Sequence, residues 1–209
     1  PILKTTVTGQ TALHLAAKSN SVDVVKYLIS RGLDKDETDN DNATPLFIAA
    51  QNGKLDTVRE LVLAGGDVDK AATIGHGLFV LYLASPIAIA SKEGYTEIVR
   101  FLAKNYADPN PVERAEGFLN TSINYRPLQM ALENQHYDIA SILLEINASP
   151  KSGDMEMALE SGDAKLIQKM LEKGADPMDK DTNGKTIMQL AEDKHLSDIV
   201  ALLNKWKKP

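Results

Sequence analysis

Few residues in this chain carry chemistry, and they are scattered. Four histidines, His14, His76, His136 and His195, have the means to act as bases or metal ligands. They fall far apart, and no Ser-His-Asp spacing, paired-carboxylate motif or metal-ligand helix pattern joins them. Asp179-Lys-Asp181-Thr-Asn183-Gly184 matches the opening of a calcium loop, but Leu190 stands where that loop needs its bidentate acid. Gly184-Lys185-Thr186 ends like a phosphate-binding loop, yet Asp179 replaces the earlier glycine and no strand precedes it. Asn42-Ala-Thr44 and Asn120-Thr-Ser122 are glycosylation sequons, empty without a secretory route. The chain has no cysteine, which excludes thiol nucleophiles, disulfides and cysteine-ligated metals. The expectation is therefore no catalytic residue, no cofactor and no metal: not an enzyme.

The bulk composition narrows the partners. With 209 residues, 43% hydrophobic and 25% charged, the chain reads as globular, not disordered or fibrous. Its net charge of −6 argues against nucleic acid or an anionic membrane, both of which need a basic footprint. No charged-then-apolar signal segment opens it. Residues 71–90 carry no formal charge over the length of a membrane span. Gly75, His76, Gly77 and Pro86 oppose a span, and the second half of the stretch belongs to a repeat, so none is expected.

That repeat organises everything else. TALHLAA at 11–17 aligns with TPLFIAA at 44–50, SPIAIAS at 85–91, RPLQMAL at 126–132 and TIMQLAE at 186–192, with a degenerate MEMAL at 155–159. Following one alanine gives Ala16, Ala49, Ala90, Ala131, Ala158 and Ala191, in steps of 33, 41, 41, 27 and 33 residues. The base period is thus 33, and self-similarity at such a period is the signature of a stacked repeat. A second block follows each copy (22–32, 55–65, 96–106, 137–147, 164–174 and 197–207) with apolar residues at helical spacing, such as Val24, Val25, Leu28 and Ile29. Acids near the starts of these blocks (Asp23, Asp56, Glu97, Asp138, Asp198) suit helix N-termini. Asn20, Gly53, Gly94, Gln135, Gly162 and His195 are the turns between paired helices. Most blocks close on Gly or Asn, as a left-handed cap requires; Tyr106 does not, which predicts a different ending for the third unit.

Over essentially its whole length the chain resembles the ankyrin-repeat family. The pattern D-x-x-G-x-T-P-L-H-x-A-A followed by G-x-x-x-I-V-x-x-L-L-x-x-G-A-D is matched by residues 9–34 and 41–67, and again by 85–108 and 181–200. The resemblance implies an all-α solenoid of about six helix–turn–helix units, each with a finger loop, and a concave face that binds another protein. It makes Thr11 and His14 structural, hydrogen-bonded within and between loops. It also implies that the residues after each alanine pair face the groove: Lys18/Ser19, Gln51/Asn52, Lys92/Glu93, Glu133/Asn134, Glu160/Ser161 and Asp193/Lys194. The acidic run 34–42 becomes a solvated finger, able to meet a basic partner.

The expected units are 5–37, 38–70, 71–110, 111–150, 151–177 and 178–209. The third and fourth carry fingers eight residues longer than the base unit, and the fifth has lost six. The long fingers contain Leu78-Phe-Val-Leu-Tyr-Leu83 and Phe118, Leu119, Ile123 and Tyr125. An extended hairpin points such side chains to both faces, so one face must find cover. These fingers are expected to form a raised apolar wall beside a drop at 150–154. The partner-binding expectation is Phe79, Tyr82, Phe118 and Tyr125 on the wall, with Gln51, Asn52, Lys92, Glu93, Glu133 and Asn134 in the groove. The alternative is self-association through residues 78–83, or docking against an enzymatic domain elsewhere in a longer protein. Ile2, Leu3 and Val7 suggest that more chain precedes them. A cytoplasmic location is expected, or the host-cell cytosol if the chain belongs to a translocated effector.

Overall fold

The computed structural model describes residues 6–76, 80–111, 114–116 and 121–206. Its helices form six consecutive pairs: α1 (Ala12–Lys18) with α2 (Val22–Ser30), α3 (Pro45–Gln51) with α4 (Leu55–Leu63), and α5 (Pro86–Lys92) with α6 (Thr96–Lys104). Then come α7 (Pro127–Glu133) with α8 (Tyr137–Glu145), α9 (Asp154–Leu159) with α10 (Ala164–Glu172), and α11 (Ile187–Asp193) with α12 (Ser197–Trp206). The first helices stack in one row and the second helices in another. None of the helices among the described residues is long and apolar enough to cross a membrane. The described part of 71–90 folds instead as two strands and the start of α5.

The repeat pattern explains this stacking. Leu13, Leu46, Ile87, Leu128, Met155 and Met188 recur three residues before the marker alanine, and all are buried. Burying each such side chain is worth about 1.5–3 kcal/mol. The small alanines Ala16, Ala49, Ala90, Ala131, Ala158 and Ala191 are buried between them and let helices approach closely. Helix starts are set locally: Thr44 Oγ1 accepts from the Phe47 N–H at 3.1 Å, with Pro45 as the first helical residue.

Helix ends follow the sequence with one exception. All six expected turn residues have positive φ, from 57° at His195 to 80° at Gly94. Tyr106 corrects the expectation of a different ending. It adopts φ 65°, and the Ala107 N–H returns to Leu102 O at 3.1 Å, as at the glycine-terminated helices. The closure is set by the helix and imposed on the tyrosine.

At the base of the fingers an Asp-x-Asp/Asn motif staples neighbours. Asp36 Oδ1 accepts from the Asp67 N–H (2.8 Å), Asp69 Oδ1 from the Asp108 N–H (2.7 Å), and Asn110 Oδ1 from the Ser149 N–H (2.7 Å). Within each loop the first acid also accepts its own second-next N–H. Partial burial, with the charges of Asp108 and Asp67, pushes the Asp69 carboxyl up from its ordinary pKa.

The two long fingers form hairpins, β1 (Ala72–His76) with β2 (Val80–Ala84) and β3 (Arg114–Glu116) with β4 (Thr121–Asn124). They pair side by side through β2 and β4, which run parallel, into one sheet of order β1-β2-β4-β3. The wall anticipated from the sequence is therefore a continuous backbone ladder spanning two units. Phe79 and Phe118, with Leu78 and Leu119, lie outside the described residues.

Candidate partner-binding groove

The three central first helices, α3, α5 and α7, are short and so enclosed that their exposed residues come at their ends. In α3 the stretch Pro45–Ala50 is buried and Gln51 is exposed; in α5, Pro86–Ser91 is buried and Lys92 is exposed; α7 ends on exposed Glu133. Asn52 and Asn134 follow as helix caps. Their side-chain amides donate to Ile48 O and Met130 O, each at 2.8 Å, so both residues close their helices as well as face outward. Glu93 pairs with Lys92 at 3.7 Å, and Gln129 donates to Glu133 at 2.7 Å.

The sheet overhangs this row. Tyr82 and Ile123 are partners in the parallel ladder, and Tyr125 lies two residues beyond Ile123, where side chains return to the same face. The Tyr125 N–H extends the ladder to Leu83 O at 2.8 Å. The rings of Tyr82 and Tyr125 stack with centroids 5.9 Å apart and planes 30° apart. In β1 the register runs Thr73 to Leu83 and then Gly75 to Tyr82, leaving Ile74 as the extra residue of a bulge. Ile74 lines the groove beside them.

Two adjoining cavities result. One, of about 240 Å³, is walled by Ile74, Gly75, Tyr82 and Tyr125 from the fingers and by Lys92, Met130, Glu133 and Asn134 from the helices. The other, of about 300 Å³, brings Gln10, Asp39, Asp41 and Gln51 together with Thr73 and Phe47. Ile74 and Lys92 belong to both. Asp39 is held in place there: its Oδ1 accepts from the Asp41 and Ala43 N–H groups at 3.0 and 2.9 Å.

Of the residues expected to bind a partner, Tyr82, Tyr125, Lys92, Glu133 and Asn134 thus converge on the first cavity, and Gln51 joins Lys92 in the second. Asn52 and Glu93 line neither. The sequence reading missed Ile74, Gly75 and Met130. Met130 sits just before a marker alanine, and Ile74 depends on a bulge that the sequence does not announce. Asp39 and Asp41 lie in the acidic run already noted.

At residues 150–154, where the lost finger predicts a drop, Arg126 reaches across to Asp154. The sequence held a signal for this pair. Arg126 occupies the helix-capping position held elsewhere by Thr11, Thr44, Ser85 and Thr186.

Two of the other chemical candidates, His14 and Asp181, have structural partners. His14 is fully buried; its Nδ1 accepts from Thr11 N at 3.1 Å, leaving Nε2–H to donate to Ala43 O of the next finger at 2.9 Å. Asp181 Oδ1 accepts from the Asn183 and Lys185 N–H groups at 2.9 and 2.8 Å, closing its own finger turn. Among the described residues no group of three or more His, Asp or Glu is placed to hold a metal ion.

Comparison with known proteins agrees with the fold. A family model of ankyrin repeats (three copies) matches residues 2–72 and 81–154. An ankyrin repeat protein of Fowlpox virus (strain NVSL) is 30% identical over 105 residues, 47% of this chain; the match spans only 22% of the viral protein. A solved ankyrin repeat domain from Acinetobacter baumannii AYE superposes with a TM-score of 0.73 at 22% identity. That superposition covers 93% of this chain and 96% of that one, a likeness of fold.

Proposed function

We propose, from the premise that the chain belongs to the ankyrin-repeat family, that it is a module that binds another protein through its concave groove and the finger sheet above it. The observation that carries this reading is the stacked pair Tyr82 and Tyr125. Both rings are half-buried, and both form the wall of a cavity facing the exposed ends of α5 and α7. Aromatic residues bordering a cavity are strong anchors for a protein partner. The groove residues Gln51, Lys92, Glu133 and Asn134 supply a polar rim. In this reading the chain holds no cofactor, performs no catalysis and works in the cytoplasm.

The test is affinity capture from cell lysate with the wild type beside a Tyr82→Ser/Tyr125→Ser double variant and a Lys92→Glu/Glu133→Lys variant. Circular dichroism establishes that each is folded. A partner held by the wild type and lost by the folded variants, with cross-links from Lys92, is the expected result. A partner retained by both, with cross-links on the outer helices such as from Lys104, overturns the site. Mass that rises with concentration, in the absence of any captured protein, would point instead to self-association.

A further inference from the structure

The two cavities differ in chemistry, and the difference specifies a ligand. The first is apolar on four sides, with Ile74, Tyr82, Tyr125 and Met130. The second is lined by Gln10, Asp39, Asp41 and Gln51. Their volumes, about 240 and 300 Å³, lie at or below the small end of small-molecule pockets, about 300–1,000 Å³. Each therefore suits one side chain better than a whole cofactor.

Charge decides the sign of the ligand. Among the described residues, Asp39, Asp41 and Glu133 line the two cavities with one cation, Lys92, which already faces Glu93 at 3.7 Å. The chain as a whole is also acidic, with a net charge of −6. A cationic group is attracted here and an anionic one repelled. Because the cavities share Ile74 and Lys92, one continuous ligand can enter both. An extended strand places alternate side chains on one side, about 6.6 Å apart, so two of them can face adjoining cavities.

We propose that these cavities take an extended peptide segment of the partner, its large apolar side chain seated between Ile74, Tyr82, Tyr125 and Met130, and a nearby lysine or arginine directed at Asp39 and Asp41. The proposal rests on the groove being the binding face, and it adds the chemistry of what is bound. The apolar side chain supplies burial, and the cation supplies register by entering only the acidic cavity.

The experiment selects random nonapeptides, displayed on phage, against the immobilised chain. Fluorescence anisotropy then measures the enriched synthetic peptides at low and high salt. The expected pool carries Phe, Tyr, Trp, Leu or Met with Lys or Arg two positions away, and binding weakens with salt. Asp41→Lys/Glu133→Lys should weaken binding by about tenfold or more, most at low salt. Gly75→Val tests the apolar cavity without demanding a new backbone shape. Gly75 is not in the left-handed region, and a Cβ there meets the Tyr82 side chain at 3.5 Å, an ordinary contact. The folded variant should lose about tenfold or more of peptide affinity by filling space. No enrichment, an acidic or purely polar pool, or affinity indifferent to both variants overturns the proposal. If the captured protein still depends on Tyr82 and Tyr125 in that event, the peptide chemistry fails alone. If it does not, the groove reading fails with it.

Discussion

Arg126 makes a two-pronged bond to Asp154 across the junction of the fourth and fifth units. Nη1 stands 2.7 Å from Oδ2 and Nη2 2.9 Å from Oδ1. Arg126 is 8% exposed and Asp154 is 1% exposed, and the Lys151 N–H also donates to Asp154 at 2.8 Å. The fifth unit's finger is six residues short, and this pair adds a second tie across the junction beside the Asn110–Ser149 staple.

Removing one partner leaves a buried charge without its counter-ion. Asp154→Ala or Arg126→Ala should each cost about 3–5 kcal/mol in urea unfolding, whereas Arg126→Met/Asp154→Leu should restore much of that loss. A single substitution costing under about 1 kcal/mol would place the pair among surface ion pairs and sink this account.

Tyr106 offers the opposite sign. A left-handed conformation costs a non-glycine residue about 1–2 kcal/mol, and glycine returns about 0.5–1 kcal/mol of that through its freer unfolded chain. The ring is 91% exposed, so little packing is lost with it. Tyr106→Gly should therefore stabilise by about 0.5–1 kcal/mol, visible as a Tm higher by about 2–3 °C. An unchanged or lower Tm would show that the ring has an energetic role that its exposure hides.

His14 joins two fingers through both ring nitrogens. His14→Ala leaves Ala43 O and the Thr11 N–H without their partner in a buried setting, for an expected loss of about 2–4 kcal/mol, cavity included. His14→Gln is the control: an amide retains one donor and one acceptor, and should cost less. Equal losses would show that volume, not the bridge, matters here.

Two carboxylates give opposing pH signatures. Asp69 is pushed up by burial and by Asp108 and Asp67, so the folded chain holds that proton more tightly than the unfolded chain. Its contribution to stability is gained as pH falls through the raised value and lost as pH rises above it. Glu145 is drawn down by its hydrogen bond to Lys169 at 2.6 Å and by that charge. Its contribution is present above the ordinary carboxylate range and lost on acidification. Asp69→Asn keeps an acceptor for the Asp108 N–H and should raise Tm at neutral pH while changing it little in acid. Glu145→Gln should flatten the acid limb slightly, since exposed pairs are worth about 0–1 kcal/mol. Tm measured against pH distinguishes the two.

The repeats were legible because each unit repeats the same solution: a buried leucine-like residue, a small alanine, a left-handed turn. Asn20, Gln135 and His195 could be assigned to turns despite not being glycine because they share a register with Gly53 and Gly94. What escaped the sequence depends on relations between units. The Asp-x-Asp staple needs two loops brought together, as at Asp69 and Asp108. The parallel pairing of β2 with β4 needs two fingers 41 residues apart in register. The bulge at Ile74 is decided by how Gly75 meets Tyr82, a choice that no local pattern fixes. Half of the candidate cavity follows from register, at Lys92, Glu133 and Asn134; the other half follows from the sheet.

A solenoid whose units touch only their neighbours flexes like a spring. Parallel strands β2 and β4 tie the third and fourth coils together a second time, at the fingertips, so those two coils cannot easily splay apart. Bending is thereby displaced to the untied coils on either side, while the recess under the sheet keeps its shape. On the proposed reading, a guest arriving there meets a mould already set and surrenders less freedom on entering it.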